Sequence, residues 1–116
     1  MIDSHCHLDF AAFEGRREEA LADARAAGVH TVINIGVDLA ASERSVALAE
    51  QHAMVYATVG VHPHDATTLD ADTLARLRAL ARHEKVVAVG EIGLDFFRDR
   101  SPRETQKRAF HQQLEL

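Results

Sequence analysis

The chain has 116 residues, 47% of them hydrophobic and 27% charged, which is the composition of an ordinary globular protein of about one domain. Its formal net charge of −5 excludes nucleic-acid binding through a general basic surface, so a phosphate ester would need bound cations beside it. A single cysteine, with no secretory or membrane-spanning stretch in the sequence, excludes a disulfide scaffold and a membrane protein and favours the cytoplasm.

The first predicted strand lies within Met1–Asp9 and carries two histidines, His5 and His7. Because side chains alternate along a strand, one face is predicted to carry Asp3, His5 and His7, and the other face Ile2, Cys6 and Leu8. Two residues of a strand rise by about 6.5–7 Å, so the two imidazoles can lean toward one divalent ion. A hydrogen-bonded polar pair at a strand end is the alternative. We predict that Cys6 is a buried apolar residue rather than a ligand.

Helices and strands alternate along the rest of the chain. The predicted helices are Phe10–Gly28, then Leu39–His52 with Asp38 as N-cap, then a stretch marked by Leu69, Leu74, Leu77 and Leu80, and finally a helix that opens with the capping box Ser101-Pro102-Arg103-Glu104. The further strands are Thr31–Gly36, Met54–Val61 and Val86–Gly90. Such alternation predicts an α/β fold with right-handed crossovers: a parallel sheet in sequence order, with helices packed on one face.

Polar side chains follow the carboxyl ends of three predicted strands: His5 and His7, then His62 and His64, then Glu91 and Asp95. In a (β/α) barrel, this rim is where chemistry takes place. A carboxylate at Glu91 would point into the barrel mouth, where it needs a metal ion or a hydrogen-bonding partner. His62 is predicted either to face the substrate or to support the site structurally. The other histidines, His30, His52, His83 and His111, are predicted to be solvated, as is the basic run Arg98–Arg108.

Three stretches resemble, in the same order and spacing, motifs of the TatD family of metal-dependent hydrolases. They are Met1–Asp9, Gly60–His64 and Gly90–Phe96, and Gln106–Leu114 also resembles the helix that comes next in that family. The resemblance implies a TIM-barrel (β/α)8 fold of the metal-dependent hydrolase type. Residues 1–116 would supply about its first four βα units, the N-terminal half of a single domain that usually has about 250 residues.

The resemblance also implies one or two divalent metal ions, which the donor types allow to be Mg²⁺, Mn²⁺ or Zn²⁺. By the resemblance, His5 and His7 would be ligands of the first ion and Glu91 a metal-bridging ligand. We predict Glu91 and His62 as the catalytic residues. The later ligands of the family, two histidines and an aspartate on later strands, have no counterpart in these residues.

The implied activity is phosphodiester hydrolysis of DNA, as in the 3′-to-5′ exodeoxyribonucleases of the family, with DNA or another phosphoester as the partner. Two alternatives stay open. The same site could hydrolyse an amide or an acyl ester. The chain could also be an inactive half-barrel, in which two unpaired sheet edges favour self-association.

Overall fold

A computed structural model describes all 116 residues. Its four strands, β1 Ile2–Cys6, β2 Thr31–Asn34, β3 Val55–Val59 and β4 Val86–Val89, pair in parallel in the order β1-β2-β3-β4. Four α-helices alternate with them: α1 Arg17–Ala26, α2 Leu39–Gln51, α3 Ala71–Leu80 and α4 Arg103–Leu114. The predicted parallel order is therefore confirmed.

The core lies between one face of the sheet and the helices. Its strand residues include Val32, Val55, Ala57 and Val59, and its helix residues include Leu21, Val46, Leu48 and Leu77. The opposite sheet face has no cover: Ile2 is 56% exposed and Val87 is 51% exposed, and both line an open groove with Ile33 and Tyr56. The predicted packing of helices on one face is confirmed, and the other face is an apolar surface open to solvent.

The alternation predicted for the first strand is wrong for Ile2 and Cys6, because β1 contains a bulge. Ile2 pairs with Thr31 and Cys6 pairs with Asn34, so five residues of β1 lie opposite four of β2. The extra residue turns the strand over. Ile2 therefore lines the open face, whereas Cys6 packs against the core and its thiol donates to the Ile33 carbonyl at 3.4 Å.

Helix α1 is shorter than the predicted Phe10–Gly28. A separate 3₁₀ turn covers Ala11–Phe13, and Gly15 then has a φ of +73°, which a helix does not accommodate. The predicted stop is confirmed, since α1 ends at Ala26 and Gly28 has a φ of +86°.

The two predicted helix caps have different outcomes. Asp38 caps α2 as predicted, because its carboxylate accepts the Ala41 backbone N–H at 2.7 Å. The predicted capping box at Ser101 is wrong: α4 begins at Arg103 without a side-chain cap. The Ser101 hydroxyl instead donates to the His64 carbonyl at 2.7 Å. None of the helices has the length and hydrophobicity needed to cross a bilayer.

Candidate metal centre at the carboxyl ends of the strands

The structure brings His5, His62 and Glu91 together at the carboxyl ends of β1, β3 and β4. The Nε2 atom of His5 lies 3.9 Å from Oε2 of Glu91, and Nε2 of His62 lies 3.7 Å from Oε1 of the same carboxylate. Three residues that are far apart in the sequence therefore meet around one carboxylate. Each carboxylate oxygen of Glu91 therefore has a different imidazole near it.

His7 lies beside this group with one unsatisfied ring nitrogen. Its ring meets the ring of His5 edge to face, with centroids 5.1 Å apart, and stacks on Phe10 at 4.7 Å. The Nδ1 atom of His7 is buried and has no hydrogen-bonding partner. No three His, Cys, Asp or Glu side chains stand at the spacing of metal ligands in this structure. The predicted residues are thus neighbours, but their donor atoms do not surround one point.

Backbone hydrogen bonds to the loop after β2 fix the positions of His62 and Glu91. The N–H of His62 donates to the Val37 carbonyl, and the N–H of Glu91 donates to the Gly36 carbonyl, both at 2.7 Å. Gly36 has no room for a side chain, since a Cβ atom there would lie 2.7 Å from the carbonyl oxygen of Thr58. A glycine is therefore required where this loop passes over β3.

The environment of His62 indicates where its proton lies. Its Nδ1 accepts the backbone N–H of His64 at 3.1 Å, so a neutral ring carries its hydrogen on Nε2, which faces Glu91. Burial lowers the pKa of His62, and the nearby His64 lowers it further, while Glu91 acts in the opposite direction. The neutral ring is therefore favoured near pH 7, with its hydrogen on Nε2, 3.7 Å from Oε1 of Glu91.

His64 and Asp95 form a close pair next to this group. The Nε2 of His64 lies 2.5 Å from Oδ2 of Asp95, and both side chains are mostly buried. The other carboxylate oxygen of Asp95 accepts the backbone N–H groups of Arg98, at 2.9 Å, and Phe97, at 3.2 Å. The N–H of Arg98 and the ring of His64 hold the pKa of Asp95 below its ordinary value. This pair joins the loop after β3 to the loop after β4.

A buried polar network that the sequence reasoning missed holds the residues directly after His7. Asn34 is fully buried: its oxygen accepts the Leu8 N–H at 2.6 Å, and its amide nitrogen donates to Asp9 at 3.0 Å and to Ser45 at 2.6 Å. The other Asp9 oxygen pairs with Arg44 at 3.1 Å. The signal in the sequence is an amide, Asn34, directly after the β-branched residues Thr31, Val32 and Ile33 of β2.

The remaining predicted positions are divided between the core and the surface. Cys6 is on the core side, where burial first and then the charge of Asp3 raise the pKa of its thiol to about 11. The predicted solvation of His52 is wrong, because its side chain is only 11% exposed and its Nδ1 lies 3.7 Å from Glu18. His30 and His111 are exposed as predicted. In the basic run, Arg103 pairs with Asp99, and Lys107 pairs with Glu104, at the surface.

The profile of the family described as "TatD related DNase" matches residues 2–116. The chain belongs to the TatD family. Among curated relatives, "3'-5' ssDNA/RNA exonuclease TatD" of Cronobacter turicensis is 45% identical over 116 residues, which are 100% of this chain and 44% of that protein. The "uncharacterized metal-dependent hydrolase YabD" of Bacillus subtilis is 36% identical over 116 residues, which are 100% of this chain and 46% of that one.

Solved TatD structures share the fold. The crystal structure of YJJV, a TatD homologue from Escherichia coli K12, superposes with a TM-score of 0.89 at 41% identity, covering 99% of this chain and 45% of that one. A TatD family hydrolase from Entamoeba histolytica superposes with a TM-score of 0.88 at 25% identity, and the match covers 97% of this chain and 44% of that one. The chain therefore spans less than half the length of these relatives, and its four βα units are the N-terminal half of a TatD barrel.

Proposed function

We propose that this chain supplies half of the active site of a metal-dependent hydrolase that cleaves phosphodiester bonds of single-stranded nucleic acid from the 3′ end. The observation that carries the proposal is the meeting of His5, His62 and Glu91 around one carboxylate at the rim where barrels carry out chemistry. Membership of a family with curated exonucleases supports the substrate class.

The residues present fit part of a metal site. Imidazole and carboxylate are donors that suit Mg²⁺, Mn²⁺ or Zn²⁺. The buried Nδ1 of His7 has no partner within the chain, which leaves its lone pair free for a ligand. His5, His7 and Glu91 would hold the ion, with Glu91 able to bridge two. When bound, such ions polarise a phosphoryl oxygen and lower the pKa of a bound water.

Two residues of this chain have roles of their own in the proposal. Glu91 has one oxygen 3.9 Å from Nε2 of His5 and the other 3.7 Å from Nε2 of His62, so a small movement would bring the Nε2 hydrogen of His62 within hydrogen-bonding distance of the carboxylate. Because burial favours the neutral ring, His62 can also donate a hydrogen bond through Nε2 to a phosphate oxygen placed against it. No general basic surface is needed, which agrees with the net charge of −5.

A chimera tests the proposal. Residues 1–116 replace the matching part of the YJJV homologue, whose structure superposes with a TM-score of 0.89. We expect this barrel to shorten a labelled single strand in Mg²⁺ or Mn²⁺, and His5→Ala or Glu91→Gln to lower turnover by about 100-fold or more. His30→Ala, which changes an exposed histidine outside the site, is the matched control. Hydrolysis that survives both site substitutions, or that acts on amide substrates only, would contradict the proposal.

By itself, the 116-residue chain is expected to hydrolyse DNA weakly or not at all. A catalytic ion normally needs about three protein ligands and an open position, and only His5, His7 and Glu91 are present to supply them. The open mouth also admits water, which weakens every electrostatic contribution in the site. Turnover comparable to that of a complete barrel, and abolished by His5→Ala, would show that this expectation is wrong.

A further inference from the structure

Helix α4 carries two glutamines, Gln106 and Gln113, that are buried as completely as any core residue. Their exposed fractions are 0% and 1%. They are seven residues apart, so they lie on the same face of the helix two turns from each other. A buried amide is costly unless its polar atoms find partners, and an apolar side chain would fill the same space without that cost. Packing alone therefore does not explain why both positions are glutamine.

Each glutamine hydrogen-bonds to both backbone polar groups of a single residue in a loop of the candidate site. The Val61 N–H donates to Oε1 of Gln113 at 2.6 Å, and Nε2 of Gln113 donates to the Val61 carbonyl at 3.1 Å. Gln106 treats Asp95 in the same way: its Oε1 accepts the Asp95 N–H at 2.8 Å and its Nε2 donates to the Asp95 carbonyl at 3.2 Å. Each side-chain amide therefore satisfies the N–H and the C=O of one loop residue, as the backbone of a neighbouring strand would.

The two residues held in this way belong to the loops that carry the site. Val61 directly precedes His62, and Asp95 lies four residues after Glu91 in the loop between β4 and α4. The His64–Asp95 pair at 2.5 Å joins the two loops directly. One rigid helix thus holds both loops at fixed points, and a side-chain pair fixes the loops to each other.

We propose that Gln106 and Gln113 are positioning residues that set the separation of His62 and Glu91. They act through the backbone of Val61 and Asp95 and touch neither the carboxylate nor the imidazoles of the site. The catalytic consequence rests on the proposed function, because a phosphodiester would have to fit between His62 and Glu91. The positioning itself is a property of the metal-free chain and can be measured without any hydrolysis.

The test compares Gln113→Met, Gln106→Met and the matched control Gln112→Met in the complete chain. Methionine keeps the length and removes every side-chain hydrogen bond of each glutamine, including the further bonds from Gln106 to the Ser101 carbonyl and from Gln113 to the Ala109 carbonyl. Gln112 lies on the same helix without a side-chain hydrogen bond to the rest of the chain. We expect amide hydrogen exchange at Val61 to rise about tenfold in Gln113→Met alone, and at Asp95 in Gln106→Met alone, the factor for one net hydrogen bond. The Ala57 amide, bonded within the sheet, is the reference for global opening.

Site geometry provides the second readout, through the ring ¹⁵N signals of His62 and His64. Both site variants should shift these signals, while Gln112→Met leaves them in place. If the methionine variants unfold, Gln113→Asn and Gln106→Asn keep a polar amide that is too short to reach the loops, and the same shifts are expected. Unshifted ring signals in folded variants, an equal rise in exchange at Ala57, or unfolding of all four variants would overturn the proposal.

Discussion

Asn34 attaches the segment that carries His5 and His7 to the rest of the fold. Its amide holds the Leu8 N–H, the Asp9 carboxylate and the Ser45 hydroxyl, and all three contacts are buried. Removing one partner of a buried hydrogen bond costs more stability than the net contribution of that bond, because the remaining partner stays buried with neither water nor protein to hydrogen-bond to.

We expect Asn34→Ala to lower the free energy of unfolding by about 2–4 kcal/mol, since it leaves buried polar groups at Leu8 and Asp9 unpaired. Chemical denaturation measures this. Thr68→Ala, which removes a hydroxyl whose contact to Asp65 is exposed, serves as the control and should change stability by less than about 0.5 kcal/mol. A loss for Asn34→Ala no larger than that of the control would show that the network does not support the motif.

The Asp95 carboxylate predicts a pH dependence of stability. The Arg98 N–H and the His64 ring lower the pKa of Asp95 from its ordinary value of 3.8. A carboxyl whose pKa falls on folding stabilises the fold above its unfolded pKa, and this contribution disappears as the pH falls through the folded pKa. Asp95→Asn should therefore lower the Tm at pH 7, and the difference from the wild type should narrow below about pH 4.

Thermal melts of wild type and Asp95→Asn across this pH range provide the check, with Asp23→Asn, an exposed aspartate on α1, as the control. A Tm difference that stays constant down to pH 3 would mean that the Asp95 charge makes no contribution to the fold.

Whole elements were predictable wherever a repeating pattern marked them. The alternation of β-branched strands with helix-forming stretches was enough for the sheet order, and the carboxylate before Leu39 was enough for the α2 cap. Features that depend on distant partners were not predictable. The sequence Ser101-Pro102-Arg103-Glu104 has every local property of a capping box. The Ser101 hydroxyl nevertheless donates to the carbonyl of His64, 37 residues away in sequence, and does not cap the helix. The bulge in β1 likewise depends on its pairing with β2.

The cap on α2 gives a prediction at the scale of one element. Asp38→Ala removes the acceptor of the Ala41 N–H and should cost about 1 kcal/mol of stability. Urea unfolding measures the change. Glu84→Ala, at an exposed position outside the helices, should leave the midpoint almost unchanged. Equal midpoints for Asp38→Ala and the wild type would mean that the cap does not stabilise α2.

The candidate site was predictable only in part. Strand ends place the histidines and Glu91, whereas the glutamines of α4 depend on contacts with distant loops. Strand ends identified His5, His7, His62 and Glu91, because parallel strands bring their carboxyl ends to one rim. The glutamines of α4 could not be assigned in advance, since nothing local distinguishes them from the partly exposed Gln112. A spacing of seven residues on one helix is the only trace in the sequence, and it becomes meaningful only when the loops are in place.

At the scale of the whole molecule, the uncovered sheet face predicts self-association. Ile2 and Val87 expose apolar surface on the two edge strands, and the outer edges of β1 and β4 have no partner strand. We expect sedimentation velocity to find species heavier than 12.8 kDa, and Val87→Lys to shift the population toward the monomer. Ala22→Lys, at an exposed position on α1, should leave the distribution unchanged. A wild-type chain that is monomeric at every concentration would refute this expectation.

The most direct test of the proposed metal site is a titration of the ¹⁵N-labelled chain with paramagnetic Mn²⁺, followed by the loss of individual amide signals. We expect signals at His5, His7 and Glu91 to broaden first and those of His111 on α4 and His83 near α3 to persist, and Glu91→Gln to remove this selectivity. Broadening that is uniform along the chain, or that begins at another cluster such as His83 and Glu50, would contradict the assignment of the metal site to these three residues.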